Sequence, residues 1–131
     1  MNKPAHVVLL IDDEPKIRRF LRAGFELNGF SVLEAENGAD ALKLATFSPP
    51  DLVILDLALP DLHGSEVLER LRSWSNVPVI ILSVISGEDE KVRLLQAGAD
   101  DYWSSHSAWP SSWRGAKRRC AATSRARRRI R

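Results

Sequence analysis

Oxygen-bearing side chains follow three short apolar runs of this 131-residue chain. Asp12 and Asp13 come directly after the first run, Asp56 after the second and Ser83 after the third. Short Val, Ile and Leu runs separated by helical stretches are typical of strands buried on both faces, and hence of a parallel sheet. Because parallel strands end at the same edge of a sheet, we expect these side chains to converge. Clustered carboxylates repel one another, and a hard cation such as Mg²⁺ relieves that repulsion.

Strands and helices alternate in the pattern as far as residue 102. The predicted strands, in chain order, are 6–11, 31–35, 51–56, 77–82 and a fifth that is led into by 97–102. The predicted helices are 14–27, one capped by Asn37, one carrying Val67, Leu68 and Leu71, and 88–96. A repeating strand–helix unit with short connections implies right-handed crossovers. We therefore predict an α/β fold with a doubly wound parallel sheet.

The first predicted helix is amphipathic. Its apolar residues recur at helical spacing and are expected to face the core: Ile17, Phe20, Leu21 and Phe25. Its remaining surface is expected to carry the basic residues Lys16, Arg18, Arg19 and Arg22. Such a division is typical of a helix that covers one face of a sheet.

Charge divides the chain at Tyr102. Residues 1–102 contain 17 acidic and 10 basic side chains, whereas residues 103–131 contain nine basic side chains and no acidic one. Three of the four tryptophans and the single cysteine also lie in this second stretch. We predict one folded domain over 1–102, incomplete at its C-terminal end, and a disordered basic tail rich in Trp, Ser and Arg over 103–131.

Cellular location follows from what the sequence lacks. A single cysteine cannot form an internal disulfide, so nothing points to an oxidising compartment. The apolar run at 7–11 is far too short to cross a bilayer, and no secretory signal is present. We therefore expect a cytoplasmic protein without a membrane partner.

Taken together, the motifs over residues 5–102 resemble the receiver domain of bacterial two-component response regulators. The motifs that carry the resemblance are Asp12-Asp13-Glu14, Asp56, Leu59-Pro60-Asp61 with Gly64, Ser83, and Ala97-Gly98-Ala99-Asp100-Asp101-Tyr102. The stretches 17–22 and 74–80 are similar to the subfamily whose output domain is a winged-helix DNA-binding domain. The resemblance implies a flavodoxin-like receiver with five parallel strands, and a protein that is not an enzyme beyond Mg²⁺-dependent self-phosphorylation.

The resemblance also implies a chemical role for each acidic residue. Asp56 would be the phosphoacceptor, taking a phosphoryl group from the phosphohistidine of a sensor histidine kinase. Its carboxylate needs no base because it is ionised at neutral pH. Asp13 would bind Mg²⁺ directly, Asp12 directly or through water, and Asp56 together with the backbone carbonyl of Ala58 would complete the protein ligands.

Two further residues would pass the signal on. Ser83 would hydrogen-bond the attached phosphoryl group, and Tyr102 would rotate into the space left behind, which couples a local charge to a two-state element. Intact relatives form homodimers and regulate transcription through an output domain. Residues 103–131 resemble no such domain, so DNA contact by this chain is expected to be weak and nonspecific at most.

The chain departs from the family directly after Tyr102. Receivers continue with a Lys-Pro pair and a final amphipathic helix, whereas this chain reads Trp-Ser-Ser-His-Ser-Ala-Trp-Pro over 103–110. A family-like continuation, Val-Val-Lys-Pro-Phe-Gly-Met-Ala-Glu-Leu-Leu-Ala, can be encoded so that loss of its first base yields Trp103 to Trp113 residue for residue. We therefore hypothesise a frameshift after Tyr102, and expect the fifth strand and the last helix to be defective.

Other interpretations stay open at this point. Asp12 and Asp13 could be helix N-terminal acids, Ser83 an ordinary turn hydroxyl and Tyr102 a core aromatic residue. The domain could be an interaction module that is never phosphorylated, or the tail could be an evolved nucleic-acid-binding arm. A phosphatase with an aspartyl nucleophile would normally carry a second Asp two residues later, where this chain has Ala58.

Overall fold

The computed structural model describes residues 6–83 and 88–104. These residues form five strands: β1 (His6–Ile11), β2 (Phe30–Ala35), β3 (Leu52–Asp56), β4 (Val79–Ser83) and β5 (Asp101–Ser104). Four helices connect them: α1 (Pro15–Leu27), α2 (Gly38–Phe47), α3 (Gly64–Arg72) and α4 (Glu88–Gln96). Each predicted strand and helix is present, and its ends lie within a few residues of the predicted ones.

The five strands form one parallel sheet in the order β2-β1-β3-β4-β5. Strand β1 therefore lies between β2 and β3, which places the reversal of strand order in the middle of the sheet. The register pairs Ile11 with Leu55 and Asp56 with Leu82. This order is that of flavodoxin-like folds, whose ligands bind where the order reverses. The predicted doubly wound parallel sheet is confirmed.

Helices cover both faces of the sheet, and each face has its own apolar core. One core joins side chains of β1, β3 and β4 to α2, α3 and α4, among them Ala41, Ala45, Val67, Leu68, Leu71 and Leu94. The other joins side chains of all five strands to α1, among them Leu21, Phe25, Phe30, Ile80, Leu82 and Trp103. Alternation along each strand supplies both cores, as expected for strands buried on both faces.

Local signals in the sequence explain where the helices begin and end. The side chain of Asn37 accepts a hydrogen bond of 2.8 Å from the backbone N–H of Asp40, which caps α2 as predicted. After α1 the chain turns at Gly29, whose φ of 86° lies in the left-handed region that glycine tolerates best. These two ends set the entry and exit angles of strand β2.

Helix α1 corrects the predicted division between its apolar and basic sides. Phe20 was assigned to the core face but is 51% exposed, whereas Arg18 was assigned to the outer surface but is 9% exposed. The reason is geometric: Arg18, Leu21 and Phe25 are spaced by three and four residues and share the face that packs on the sheet. A residue two positions from Arg18, such as Phe20, points elsewhere.

Strand β5 also differs from expectation, because it is formed and paired. Its four residues lie parallel to β4, with Ile81 opposite Tyr102 and Ser83 opposite Ser104. Tyr102 packs against the core beneath α2, α3 and α4, and Trp103 is buried in the core beneath α1. Aromatic residues suit such half-buried strand positions, so these two side chains support pairing despite the departure from the family pattern. This corrects the expectation of a defective fifth strand.

The strand extends two residues past the domain boundary that we predicted at 102. The expected defect of the last helix, and the predicted disorder of the tail, concern residues 105–131 and lie outside the described part of the chain. Within the described part, no helix is long and apolar enough to cross a lipid bilayer.

Candidate functional site

Three carboxylates meet at the end of β1 and β3. Ligand oxygens of Asp12, Asp13 and Asp56 all lie within 4.8 Å of one another. The sheet register brings them together, because Ile11 pairs with Leu55 and the next residue of each strand is an aspartate. Asp12 is buried, Asp56 is half-buried and Asp13 is exposed, so the cluster opens to solvent on one side.

Each polar group of Asp12 is held in place. Its backbone N–H donates to the carbonyl of Ala35 at 3.1 Å, which extends the β1–β2 ladder by one residue. Its carboxylate Oδ1 accepts from the N–H of Glu14 at 2.8 Å, and its carbonyl accepts from a guanidinium N–H of Arg18 at 2.7 Å. The turn between β1 and α1 is therefore fixed from three directions.

Asp56 is oriented by the loop that follows it. The N–H of Ala58 donates to Asp56 Oδ1 at 3.3 Å. The loop returns over the end of β3 so closely that a Cβ on Gly64 would lie 2.6 Å from the Asp56 carbonyl oxygen. Only glycine accommodates this approach, since real Cβ atoms do not come that near to a backbone oxygen.

Asp61 anchors the middle of the same loop. Its two carboxylate oxygens accept from the N–H groups of Gly38 and Ala39 at 2.8 and 3.0 Å, at the N-terminus of α2. These hydrogen bonds lower the pKa of Asp61. The anchoring fixes the path of the loop from Asp56 to α3.

Electrostatics at the cluster favour a cation. Burial raises the pKa of Asp12 from 3.8 to about 6, an effect opposed by the hydrogen bond from Glu14 and increased by the charges of Asp56 and Asp13. Burial also raises the pKa of Asp56, and the charge of Asp13 adds to that rise. Over residues 6–83 and 88–104, no Lys or Arg forms an ion pair with any of these three carboxylates.

The donor set can hold a metal ion. Three hard carboxylate oxygens with an open side suit Mg²⁺, which binds few protein carboxylates and keeps several other oxygen ligands. The predicted convergence of Asp12, Asp13 and Asp56 is therefore confirmed, while their roles as ligands and phosphoacceptor stay predictions.

The other predicted residues lie near the same edge. Ser83 is the last residue of β4 and follows Leu82, the partner of Asp56 in the register. Tyr102 is half-buried in β5, and Ala58 lies in the loop directly after β3, where it forms a bridge to His63. The backbone carbonyl of Ala58 as a ligand, and the switch roles of Ser83 and Tyr102, remain predictions.

Arg18 is the site residue that the sequence interpretation missed. It was grouped with the solvent-facing basic residues of α1, although its guanidinium reaches the carbonyl of Asp12. The available signal was its spacing from Leu21 and Phe25, which places an arginine on the buried side of an amphipathic helix.

Comparison with known proteins agrees with this geometry. Residues 8–105 match the family described as the response regulator receiver domain. A solved structure, the receiver domain of Francisella response regulator 1452, superposes with a TM-score of 0.85 at 32% sequence identity. That superposition covers 90% of this chain and 98% of the other.

Two curated relatives are transcriptional regulators named KdpE, and within the winged-helix subfamily the sequence itself resembles the regulator of the Kdp potassium-uptake operon. The chain is 52% identical over 96 residues to the transcriptional regulatory protein KdpE of Mycobacterium tuberculosis (strain CDC 1551 / Oshkosh), covering 73% of this chain and 42% of the relative. It is 53% identical over 97 residues to the KDP operon transcriptional regulatory protein KdpE of Escherichia coli (strain K12), covering 74% and 43%. The chain thus spans about two-fifths of the length of these relatives. With the family match and the acidic cluster in agreement, this chain belongs to the response regulator receiver domain family.

Proposed function

We propose that this domain accepts a phosphoryl group on Asp56 from the phosphohistidine of a sensor histidine kinase. The observation that carries the proposal is the meeting of Asp12, Asp13 and Asp56 within 4.8 Å at the carboxyl edge of two central strands. A single aspartate at a strand end is an ordinary turn residue. Three aspartates that converge, and that have no Lys or Arg ion-paired to them in the described part of the chain, are suited to bind a cation.

Phosphoryl transfer requires a nucleophile whose orientation is fixed and which the phosphoryl donor can reach from solvent. Asp56 is half-buried, and the N–H of Ala58 holds its Oδ1, so the orientation of the carboxylate is restricted. A carboxylate oxygen of Asp56 forms the new P–O bond while the P–N bond of the donor breaks. The departing imidazole keeps the electron pair and takes up a proton from solvent, so Asp56 needs no general base.

The metal would be held by the carboxylates of Asp12, Asp13 and Asp56 and the carbonyl of Ala58. When bound, Mg²⁺ supplies the positive charge that phosphoryl transfer needs on the transferring oxygens. The carboxylate of Asp12 is buried and held in place, whereas that of Asp13 is exposed. Asp12 would therefore determine the position of the ion, and the Asp13 side chain would move to complete its coordination.

Ser83 and Tyr102 are proposed to read the modified state. The Asp56–Leu82 pairing puts Ser83 one residue further along the neighbouring strand, which supports a hydroxyl contact with a phosphoryl group on Asp56. Tyr102 pairs with Ile81 in the next strand and borders the α4 side of the sheet. In the intact protein we propose that this change regulates transcription, as the names of the KdpE relatives indicate for those proteins.

The test is phosphorylation of the full chain with labelled acetyl phosphate or a phosphorylated histidine kinase, in the presence of Mg²⁺. Asp56→Asn should abolish labelling and leave the fold intact, since the amide is nearly isosteric but neutral. Glu69→Gln is the matched control, because it removes an exposed carboxylate of α3 that lies outside the cluster, and it should still be labelled.

Label should be stable in acid and released in base, as expected for an acyl phosphate. Retention of such a label by Asp56→Asn would disprove the assignment. Absence of labelling in the unsubstituted chain, together with no response to beryllofluoride and Mg²⁺, would favour the interaction module that is never phosphorylated.

A further inference from the structure

Arg18 of α1 is a charged side chain with almost no access to solvent. It is 9% exposed and lies in the apolar layer formed with Leu21 and Phe25. A buried charge is costly unless it is paired and hydrogen-bonded, so a buried arginine on an otherwise apolar face calls for specific partners.

Three partners surround its guanidinium, and they come from different segments. One terminal N–H donates to the carbonyl of Asp12 at 2.7 Å, and Nε donates to Glu34 of β2 at 3.0 Å. The other terminal nitrogen lies 3.5 Å from the carboxylate of Glu36. Arg18 thus ties the turn after β1 to the end of the edge strand β2.

We propose that Arg18 is a positioning residue for the Mg²⁺ site, holding the backbone of Asp12 so that Asp12 and Asp13 present their carboxylates in binding geometry. This inference rests on the proposed function, because it assigns Arg18 to the same cation site. Arg18 touches no ligand oxygen of the cluster; it acts through the main chain of Asp12.

Arg18 orders the main chain at Asp12, where the chain leaves the sheet. The N–H of Asp12 is still part of the β1–β2 ladder, whereas its carbonyl belongs to the turn that leaves the sheet. The hydrogen bond from Arg18 fixes that carbonyl, and hence the peptide plane that leads into Asp13. Groups that orient metal ligands in this way commonly change metal affinity by about 10- to 100-fold when they are removed.

The shape of arginine matters as well as its charge. A planar guanidinium can donate to the Asp12 carbonyl and to Glu34 from one rigid fork, whereas the ammonium of lysine is a compact point charge. Arg18→Lys should therefore give an affinity between those of the unsubstituted protein and Arg18→Gln.

Arg22 provides a matched control one turn along α1. It also pairs with Glu34, and with Glu26, but its side chain is 44% exposed and its hydrogen bonds lead away from Asp12. Arg22→Gln removes the same charge from the same helix and the same acidic partner. Any effect of charge alone on the site should therefore appear in both variants.

The experiment is titration of Mg²⁺ into the full metal-free chain by isothermal calorimetry, with a thermal melt of each metal-free variant. Arg18→Gln should raise the Kd for Mg²⁺ about tenfold or more, and Arg22→Gln by less than about twofold. A purely structural role would lower the melting temperature of Arg18→Gln and leave the Kd of the folded protein unchanged.

Equal Kd values for Arg18→Gln and the unsubstituted chain would overturn the inference while leaving the proposed function standing. Failure of the unsubstituted chain to bind Mg²⁺ would overturn both. If Arg18→Gln does not fold, the double variant Glu34→Gln with Glu36→Gln replaces it, because it keeps Arg18 and removes the carboxylates that orient it. That variant should also bind Mg²⁺ several-fold more weakly, and an unchanged affinity would equally overturn the inference.

Discussion

Two neighbouring parts of the same sheet edge differ in how completely they are built. At the β1–β3 edge, the carboxylates of Asp12, Asp13 and Asp56 follow two central strands, each paired on both sides. At the β4–β5 edge, Ser83 ends β4, and Tyr102 lies in β5, a four-residue strand with one neighbour in the sheet. The first region resembles the family throughout, and the second ends where the sequence departs from it.

The comparison separates binding from signalling. In the described part of the chain, the hydrogen bonds that fix the acidic cluster come from residues before 65, and β4 contributes the pairing of Leu82 with Asp56. We therefore expect a change of sequence after Tyr102 to leave the proposed cation site in place. The signal transmission that we propose involves Ser83 and Tyr102 on β4 and β5, and shortly after Tyr102 the family's Lys is replaced by Ser105. We infer that cation binding and signal transmission can be lost independently.

The largest expected effect concerns the β5 side of the sheet edge, where the sequence departs from the family. With beryllofluoride and Mg²⁺, a version carrying the family-like continuation Val-Val-Lys-Pro-Phe-Gly-Met-Ala-Glu-Leu-Leu-Ala after Tyr102 should dimerise, and the present chain should stay monomeric. The reason is that the present sequence lacks both the Lys and the apolar periodicity of a last helix over 103–113. Analytical ultracentrifugation distinguishes the two states.

Calorimetry should show that both versions bind Mg²⁺, because the cluster does not depend on the altered segment. Dimerisation of the present chain to the same extent as the restored one would contradict the separation of binding from signalling.

The next effect concerns the stability that β5 itself contributes. Trp103 is 5% exposed within the core beneath α1, so Trp103→Ala should lower the free energy of unfolding by about 3–5 kcal/mol. Trp74→Ala is the control: Trp74 is 51% exposed, and its loss should cost about 0.5 kcal/mol or less. Urea denaturation measures both, and equal midpoints would show that β5 adds little to the fold.

Most of the fold could be predicted because it depends on patterns repeated along the chain. Apolar runs identified the strands, and convergence of Asp12, Asp13 and Asp56 followed from parallel order alone. Arg18 could not be placed from residue type, because arginine is usually exposed. Its partner Glu34 is brought near by the β1–β2 pairing, and the Asp12 carbonyl by the turn between β1 and α1.

Strand β5 was misjudged for a different reason. The prediction of a defective β5 depends on the missing Lys and Pro. Pairing with β4, however, requires only backbone hydrogen-bonding groups and side chains that fit the two apolar faces of the sheet. Tyr102 and Trp103 meet that requirement, one on each face. At β5, departure from the family motif is therefore compatible with a paired strand.

A smaller effect concerns the Mg²⁺ affinity of the acidic cluster at the β1–β3 edge. Asp13→Ala should raise the Mg²⁺ concentration needed for half-saturation at least about tenfold, since loss of a ligand should cost no less than loss of an outer partner. The fold should persist because the Asp13 side chain is exposed. Glu69→Ala removes another exposed acidic side chain and controls for net charge. If Asp13→Ala and the unsubstituted chain reach half-saturation at the same Mg²⁺ concentration, Asp13 is not a ligand.

The last expected effect is a dependence of stability on pH that comes from the same cluster. Burial raises the pKa of Asp12 in the folded state to about 6, against an ordinary value of 3.8. The folded protein therefore holds a proton that the unfolded chain releases, and without Mg²⁺ its stability should fall as pH rises from about 4 to about 6. Asp56, whose pKa is also raised, contributes a slope of the same sign.

Urea denaturation at several pH values, with and without Mg²⁺, measures this slope. Asp12→Asn removes one titrating group and should flatten the slope, leaving the part that Asp56 contributes. Saturating Mg²⁺ should flatten it further, because the cation displaces the protons and neutralises the carboxylates. An equal slope in Asp12→Asn and the unsubstituted chain would show that folding does not raise the pKa of Asp12.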